Sequence, residues 1–256
     1  MQDQNTYLAL FLKSIPIGLA NTLPGVSGGT IALVLNIYQT LINAIKNIKF
    51  KKLIFIGLGA GLGVFIGSAV ITDLYRSNPL IVNYFLFGLV LSSAHSTYKK
   101  IGSFSFSKLI IILLAFGLAF FFSSESQVNL VNRQGLILFF AAGFFGSIAM
   151  ILPGISGGTL LILMGVYQQV LAAVNNFEII TLLVFACGMG AGLLVFAWIF
   201  SYLLQAHQAK IMVVLTGLIL GSSAAVFPAI LDFRGFFAFG AGVILIIILE
   251  IIGKNT

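Results

Sequence analysis

Two octapeptides hold the residues best suited to chemistry. The first reads Leu23-Pro24-Gly25-Val26-Ser27-Gly28-Gly29-Thr30 and the second Leu152-Pro153-Gly154-Ile155-Ser156-Gly157-Gly158-Thr159. Each lies in the middle of a long apolar run. Proline removes a backbone donor and glycine weakens a helix, so each octapeptide breaks the chain where water should be absent. Irregular backbone at membrane depth persists only when it is buried in protein or lines a polar cavity. Ser27 and Ser156 are placed to cap helices that begin again near Thr30 and Thr159. A helix N-terminus offers unpaired N–H groups and partial positive charge, and glycines let a ligand approach the backbone. The pattern predicts an anion site built without a buried lysine or arginine. Its residues would be Ser27, Gly28, Gly29, Thr30, Ser156, Gly157, Gly158 and Thr159. The competing reading is that the glycine pairs only let the two tips pack tightly.

Arg76, Arg133 and Arg234 are the next candidates, since a guanidinium can hold a phosphate through two hydrogen bonds. Their alternative role is interfacial anchoring or pairing with Asp73 and Asp232. Tyr38 and Tyr167 read as interface-belt residues. Six acidic residues and two histidines are scattered, with no paired carboxylates, metal-ligand spacing or Ser–His–Asp set. No Gly-rich loop carries the lysine needed for ATP. An enzyme, a metal site and a prosthetic group are therefore not expected. The single cysteine, Cys187, excludes an internal disulfide and reads as a small packed residue.

The frame that must hold these residues is apolar. The 256 residues are 60% hydrophobic and 7% charged, with a mean hydropathy of +1.14. A soluble domain carries about 25% charged residues. The composition predicts an all-α polytopic membrane protein. The net charge of +7 sits in short loops between apolar spans, where it determines topology and does not point to nucleic acid. Met1 to Thr6 contain no Lys or Arg, so no cleaved signal peptide is expected.

The chain repeats itself at an offset of 129 residues. Pro24 meets Pro153, Tyr38 meets Tyr167, Gln39 meets Gln168 and Gly88 meets Gly217. Gly59, Gly61 and Gly63 meet Gly188, Gly190 and Gly192, at a density suited to close helix contact in lipid. The first repeat covers 1–128, with a hairpin at 7–45 and spans at 53–74, 80–98 and 109–122. The second covers 129–256, with a hairpin at 134–174 and spans at 179–204, 211–230 and 236–252. The two form one integrated membrane domain. The arms of the first hairpin, 7–21 and 30–45, would be about 22 and 24 Å long, short of a hydrocarbon core of about 30 Å. A re-entrant hairpin fits better than a crossing. Each repeat then has three crossings, and the second is inverted relative to the first. This arrangement puts ten cationic residues, all lysines, on one side and three, all arginines, on the other. Crossing hairpins would divide them eight against five. The positive-inside rule favours the re-entrant form and places both termini in the cytoplasm.

Ala20-Asn21-Thr22-Leu23-Pro24-Gly25-Val26-Ser27-Gly28-Gly29-Thr30, followed by Ile37-Tyr38, resembles the first signature of the DUF368 membrane family. Ala149 to Gly157, followed by Met164-Gly165-Val166-Tyr167, resembles its second. The resemblance implies a translocase that returns undecaprenyl phosphate from the outer to the inner leaflet of the bacterial plasma membrane for envelope polymer synthesis. Asn21, Pro24, Tyr38, Gln39, Pro153, Tyr167 and Gln168 would support the motifs or take part in coupling to H+ or Na+. The chain departs from the family pattern where it has Asn21, Gln39 and Gln168 in place of acids and Asn36 in place of glycine. By themselves, the residues also fit an ion-coupled transporter of a small soluble anion, or an accessory membrane subunit. A lipid substrate needs a lateral opening for its tail. Phe139, Phe140, Phe144 and Phe145 fit such a groove, and fit an ordinary lipid-facing surface better.

Overall fold

The computed structural model describes residues 2–23, 25–103, 105–124 and 135–254; the side chains of residues 2–5, 69, 71, 72, 76 and 124 are outside that description. All regular structure among these residues is helical. The first half contains α1 (Gln2–Asn21), α2 (Gly28–Val34), α3 (Tyr38–Lys46), α4 (Phe50–Ser77), α5 (Pro79–Tyr98) and α6 (Phe106–Ser124). The second contains α7 (Leu136–Ile151), α8 (Gly157–Leu163), α9 (Tyr167–Asn175), α10 (Ile179–Ala206), α11 (Gln208–Ser222) and α12 (Phe233–Lys254). A 3-10 turn, Ser223–Val226, extends α11. Six helices are long and apolar enough to cross a membrane: α4, α5, α6, α10, α11 with its extension, and α12. The α2–α3 and α8–α9 pairs bend by 116° and 105°, and would raise the number to eight if each pair were one span. The chain is a multi-pass helical membrane protein.

The returning arm of each expected hairpin is two helices, where a single helix was predicted. Asn36 and Gly165, related by the repeat, adopt φ of 57° and 70°. The Asn36 N–H donates to Leu33 O and the Ile37 N–H to Ala32 O; Gly165 and Val166 make the same bonds to Ile162 and Leu161. This cross-bonded pair satisfies the last carbonyls of α2 and α8 and ends both helices. Asn36 can replace glycine because asparagine tolerates the left-handed region. The expected span 211–230 also stops early, at Val226. Pro228 pushes the residue before it out of helical geometry, and Phe227 is extended with ψ of 120°. Other spans run a few residues beyond their predicted ends, for example Phe50–Ser77 against 53–74.

Small residues bring the helices together. A Cβ on Gly59 or Gly63 would lie 2.2 Å from Phe11 O or 2.0 Å from Ile15 O, so α4 lies directly on α1. Their repeat partners Gly188 and Gly192 press α10 onto α7 at Phe140 O and Phe144 O. Gly57, Gly61 and Gly190 face open space, so only the four-residue spacing is used in packing. The last helices are exchanged between halves, α5 packing on α12 and α11 on α6. At the centre α5 meets α11, where the buried Thr97 and Thr216 hydroxyls are 2.8 Å apart. Cys187 is exposed on α10, not packed as expected; Gly188 and Gly192 are the residues of α10 pressed onto α7.

Candidate functional site

The two tips have the same sequence and different surroundings. At the first, Ser27 is in extended geometry and its Oγ accepts from the Gly29 N–H at 3.2 Å. Asn21 Oδ1 accepts from the Gly28 N–H at 2.9 Å, tying the entering and returning arms together. Ser27 Oγ donates to Leu152 O at 3.2 Å, and Tyr38 Oη donates to Ile151 O at 3.3 Å. A Cβ on Gly29 would lie 2.1 Å from Ile151 O. The first tip is thus clamped against the chain that enters the second. Every residue of α2 is buried. Tyr38 is only 1% exposed, which corrects its reading as a belt residue: burial of its hydroxyl is met by the Ile151 carbonyl and its ring packs edge-on to Phe200. Tyr167 is half-buried.

At the second tip Ser156 is exposed and its Oγ accepts from the Thr159 N–H at 3.4 Å. Of α8, only Gly157 is buried. The Gly157 and Gly158 N–H groups have no acceptor among the described residues. For Gly157 the cause is in the sequence, because the repeat places Met150 where Asn21 accepts from Gly28 in the first half; for Gly158, Ser156 Oγ serves Thr159 where Ser27 Oγ serves Gly29. A Cβ on Gly158 would meet only Ser156 Oγ, at 3.7 Å. Gly28 and Gly157 instead face their own entering arms, at Asn21 and Ile17 and at Met150 and Gly146, where a side chain would strike the hairpin itself. Gly25 and Gly154 take φ of 71° and 81°, which glycine allows in the turn. Pro153 is buried; Pro24 lies outside the described residues.

The asymmetry extends to the following helices. α3 packs on α10, where Ser201 Oγ is 3.2 Å from Asn43 Oδ1 and 3.4 Å from Lys46 Nζ. α9 makes no comparable packing on α4 among the described residues. Beside the α3–α10 contact two small adjoining clefts, of about 90 and 60 Å³, share Gln39 and Leu204. Asn36, Gln39, Lys100 and Gln208 line the larger, and Asn43, Ser201 and Gln205 line the smaller. Lys100 Nζ donates to Asn36 Oδ1 at 2.9 Å. Burial pulls the Lys100 ammonium below its ordinary pKa range, against the opposing pull of Glu250. Of the predicted residues only Tyr38 and Gln39 line this cleft; Gln168 is exposed.

Of the three candidate arginines, the structure describes the side chain of Arg234 alone. Arg234 is exposed in the first turn of α12, and its backbone N–H donates to Asp232 Oδ1 at 2.9 Å. Arg133 and the Arg76 side chain lie outside the described residues. Lys13, expected beside the cytoplasmic release of the head, is only 9% exposed on the α1 face that carries Ile17 and Asn21. No cluster of three or more His, Cys, Asp or Glu side chains suited to a metal occurs among the described residues.

Two sharply bent helix pairs with polar tips, held in a frame of long apolar helices, define a multi-pass membrane protein with irregular backbone among its spans. The chain belongs to the VCA0040-like family, described as undecaprenyl phosphate translocase-like, whose model matches residues 17–233. This agrees with the resemblance carried by the two signatures. Two curated relatives are both named polyprenyl-phosphate transporter. The protein from Vibrio cholerae serotype O1 is 32% identical over 243 residues, covering 87% of this chain and 78% of the relative. The protein from Staphylococcus aureus is 30% identical over 247 residues, covering 86% of each. No solved structure matches the chain.

Proposed function

We propose that this protein carries polyprenyl phosphate, undecaprenyl phosphate in particular, from the outer to the inner leaflet of a bacterial plasma membrane. In this reading both hairpins are re-entrant, the two halves are inverted, and both termini are cytoplasmic. The observation that carries the proposal is the second tip, where two backbone N–H groups lack acceptors among the described residues. The names of the two curated relatives supply the substrate class.

The head group needs polar stations, because an unpaired phosphate in hydrocarbon is strongly disfavoured. An outer arginine, from Arg76, Arg133 and Arg234, captures it first. The open second tip, Ser156 to Thr159, then accepts it. The clamped first tip, Ser27 to Thr30, is the same device in its closed form. Transport exchanges the two: the first hairpin loosens while the second closes onto the chain entering the first. The head leaves through the cleft lined by Asn36, Gln39 and Lys100. Each station holds the head weakly enough to release it. Opposed broken helices around a mid-membrane site are the pattern that inverted-repeat transporters use for anions.

The test is binding by the purified chain. Polyprenyl phosphate should bind, while inorganic phosphate and small organic anions at the same concentration should not compete. Equal competition by a soluble anion would replace the proposal with transport of that anion.

A further inference from the structure

An apolar groove of about 490 Å³ lies against the first hairpin. Its volume falls within the range of about 300–1,000 Å³ usual for ligand sites. All its lining side chains are apolar. Leu19 and Leu23 of the entering arm form one wall, and Val82 and Phe85 of α5 form the other. Between them α12 presents Ala238 and Ala241, whose small side chains leave the depression. The groove differs from the outward face of α12, where Ile244, Ile247 and Ile251 stand exposed.

Its position distinguishes it from a chance crevice between helices. Leu23 immediately precedes the Pro24-Gly25 turn, and Ile31 immediately follows Thr30, so the lining includes residues on both sides of the first tip. A polar tip flanked by groove-lining residues suits a phosphate joined to a hydrocarbon chain. Phe139, Phe140, Phe144 and Phe145, the aromatic candidates for a tail surface, are on α7 and not in this groove.

We infer that this groove holds the isoprenoid tail next to the phosphate while the head is at the first tip. The inference rests on the polyprenyl-phosphate reading of the tips. The groove's α12 side runs from Ala238 to Leu249, about 16 Å at 1.5 Å per residue. An isoprene unit adds four carbon–carbon bonds of about 1.5 Å each, so about three extended units fit. The rest of the tail stays in the bilayer. Chain length should therefore matter up to about three units and little beyond.

The experiment uses the purified full chain with prenyl phosphates of one, two, three and more units. Affinity should rise to the three-unit compound and then level off. A three-unit phosphate carrying a photoreactive diazirine should label α1, α5 and α12 around Leu19, Phe85 and Ala241. The double substitution Ala238→Trp and Ala241→Trp fills the groove. It should weaken the three-unit phosphate by about tenfold or more, from lost apolar burial, and leave the one-unit phosphate unchanged. Should that variant fail to fold, the labelling of the unaltered chain decides. Absence of label from α1, α5 and α12, or displacement by phosphatidylglycerol at equal concentration, would overturn the groove while leaving polyprenyl-phosphate transport intact. If no prenyl phosphate binds at any length, the proposed function falls and the groove assignment with it.

Discussion

Gly29 and Gly158 are the same position in two copies of one motif, and alanine should affect them oppositely. In this structure a Cβ on Gly29 would sit 2.1 Å from the Ile151 carbonyl oxygen, a backbone atom that cannot turn aside. The same atom on Gly158 would meet only Ser156 Oγ at 3.7 Å, an ordinary contact. Overpacking of this kind costs about 1–3 kcal/mol, or roughly 5- to 140-fold in a conformational equilibrium. Gly29→Ala should therefore destabilise the arrangement seen here. Gly158→Ala should leave it unharmed and still stop transport, because the exchanged arrangement brings Gly158 against the Thr22 carbonyl, the repeat partner of Ile151. Disulfide trapping can read both arrangements in a chain carrying Cys187→Ser. The pair Asn43→Cys with Ser201→Cys joins side chains that meet here at 3.2 Å. The repeat-related pair Ala172→Cys with Thr72→Cys should join only after exchange. Gly158→Ala should raise trapping of the first pair and suppress the second, with Gly29→Ala doing the reverse. A Gly158→Ala protein that transports at the wild-type rate would refute the exchange of tips.

Inverted topology is checked by single cysteines at Asn47 and Asn176, which follow α3 and its repeat partner α9: an impermeant thiol reagent should label only Asn176→Cys in intact cells, and labelling of both would rule inversion out. Because burial lowers the Lys100 pKa, its cationic form is lost on the alkaline side earlier than for a surface lysine. As pH is raised into the alkaline range, transport should decline earlier in the wild type than in Lys100→Arg, whose guanidinium keeps its proton. Equal profiles would remove Lys100 from the exit cleft. Ile48, a β-branched residue held at φ of 47°, should be improved by Ile48→Asn, with thermal unfolding showing a gain of about 1 kcal/mol. Replacing all three of Arg76, Arg133 and Arg234 with glutamine should slow clearance of the carrier from the outer leaflet; clearance at the normal rate would make them anchors.

The apolar runs, the 129-residue repeat and the two octapeptides were legible because each depends on local sequence. The serine caps and a close helix contact through the glycines of α4 follow from local sequence; that α1 is the partner does not. The breaks at Asn36 and Pro228 left equally local signals, an asparagine in a glycine position and a proline near a span end. What sequence could not reveal is the difference between the copies. The structural asymmetry lies where they diverge, at Asn21 against Met150 and Asn43 against Ala172. Tyr38 and Tyr167 are identical in type, yet one is buried and the other half-exposed, which depends on long-range packing of α3 against α10. The polar cleft is assembled from α3, α10, α11 and the residues after α5, so no short stretch of chain announces it.

The central claim is leaflet-to-leaflet movement of polyprenyl phosphate by this chain alone. It is tested most directly in vesicles containing the purified protein and a labelled polyprenyl phosphate. The measured quantity is the fraction of label open to an impermeant phosphatase added outside. With wild-type protein the inner pool should become accessible, while with Gly158→Ala only the initial outer pool should be cut. If wild-type vesicles protect their inner pool as well as protein-free vesicles do, the chain does not translocate the lipid.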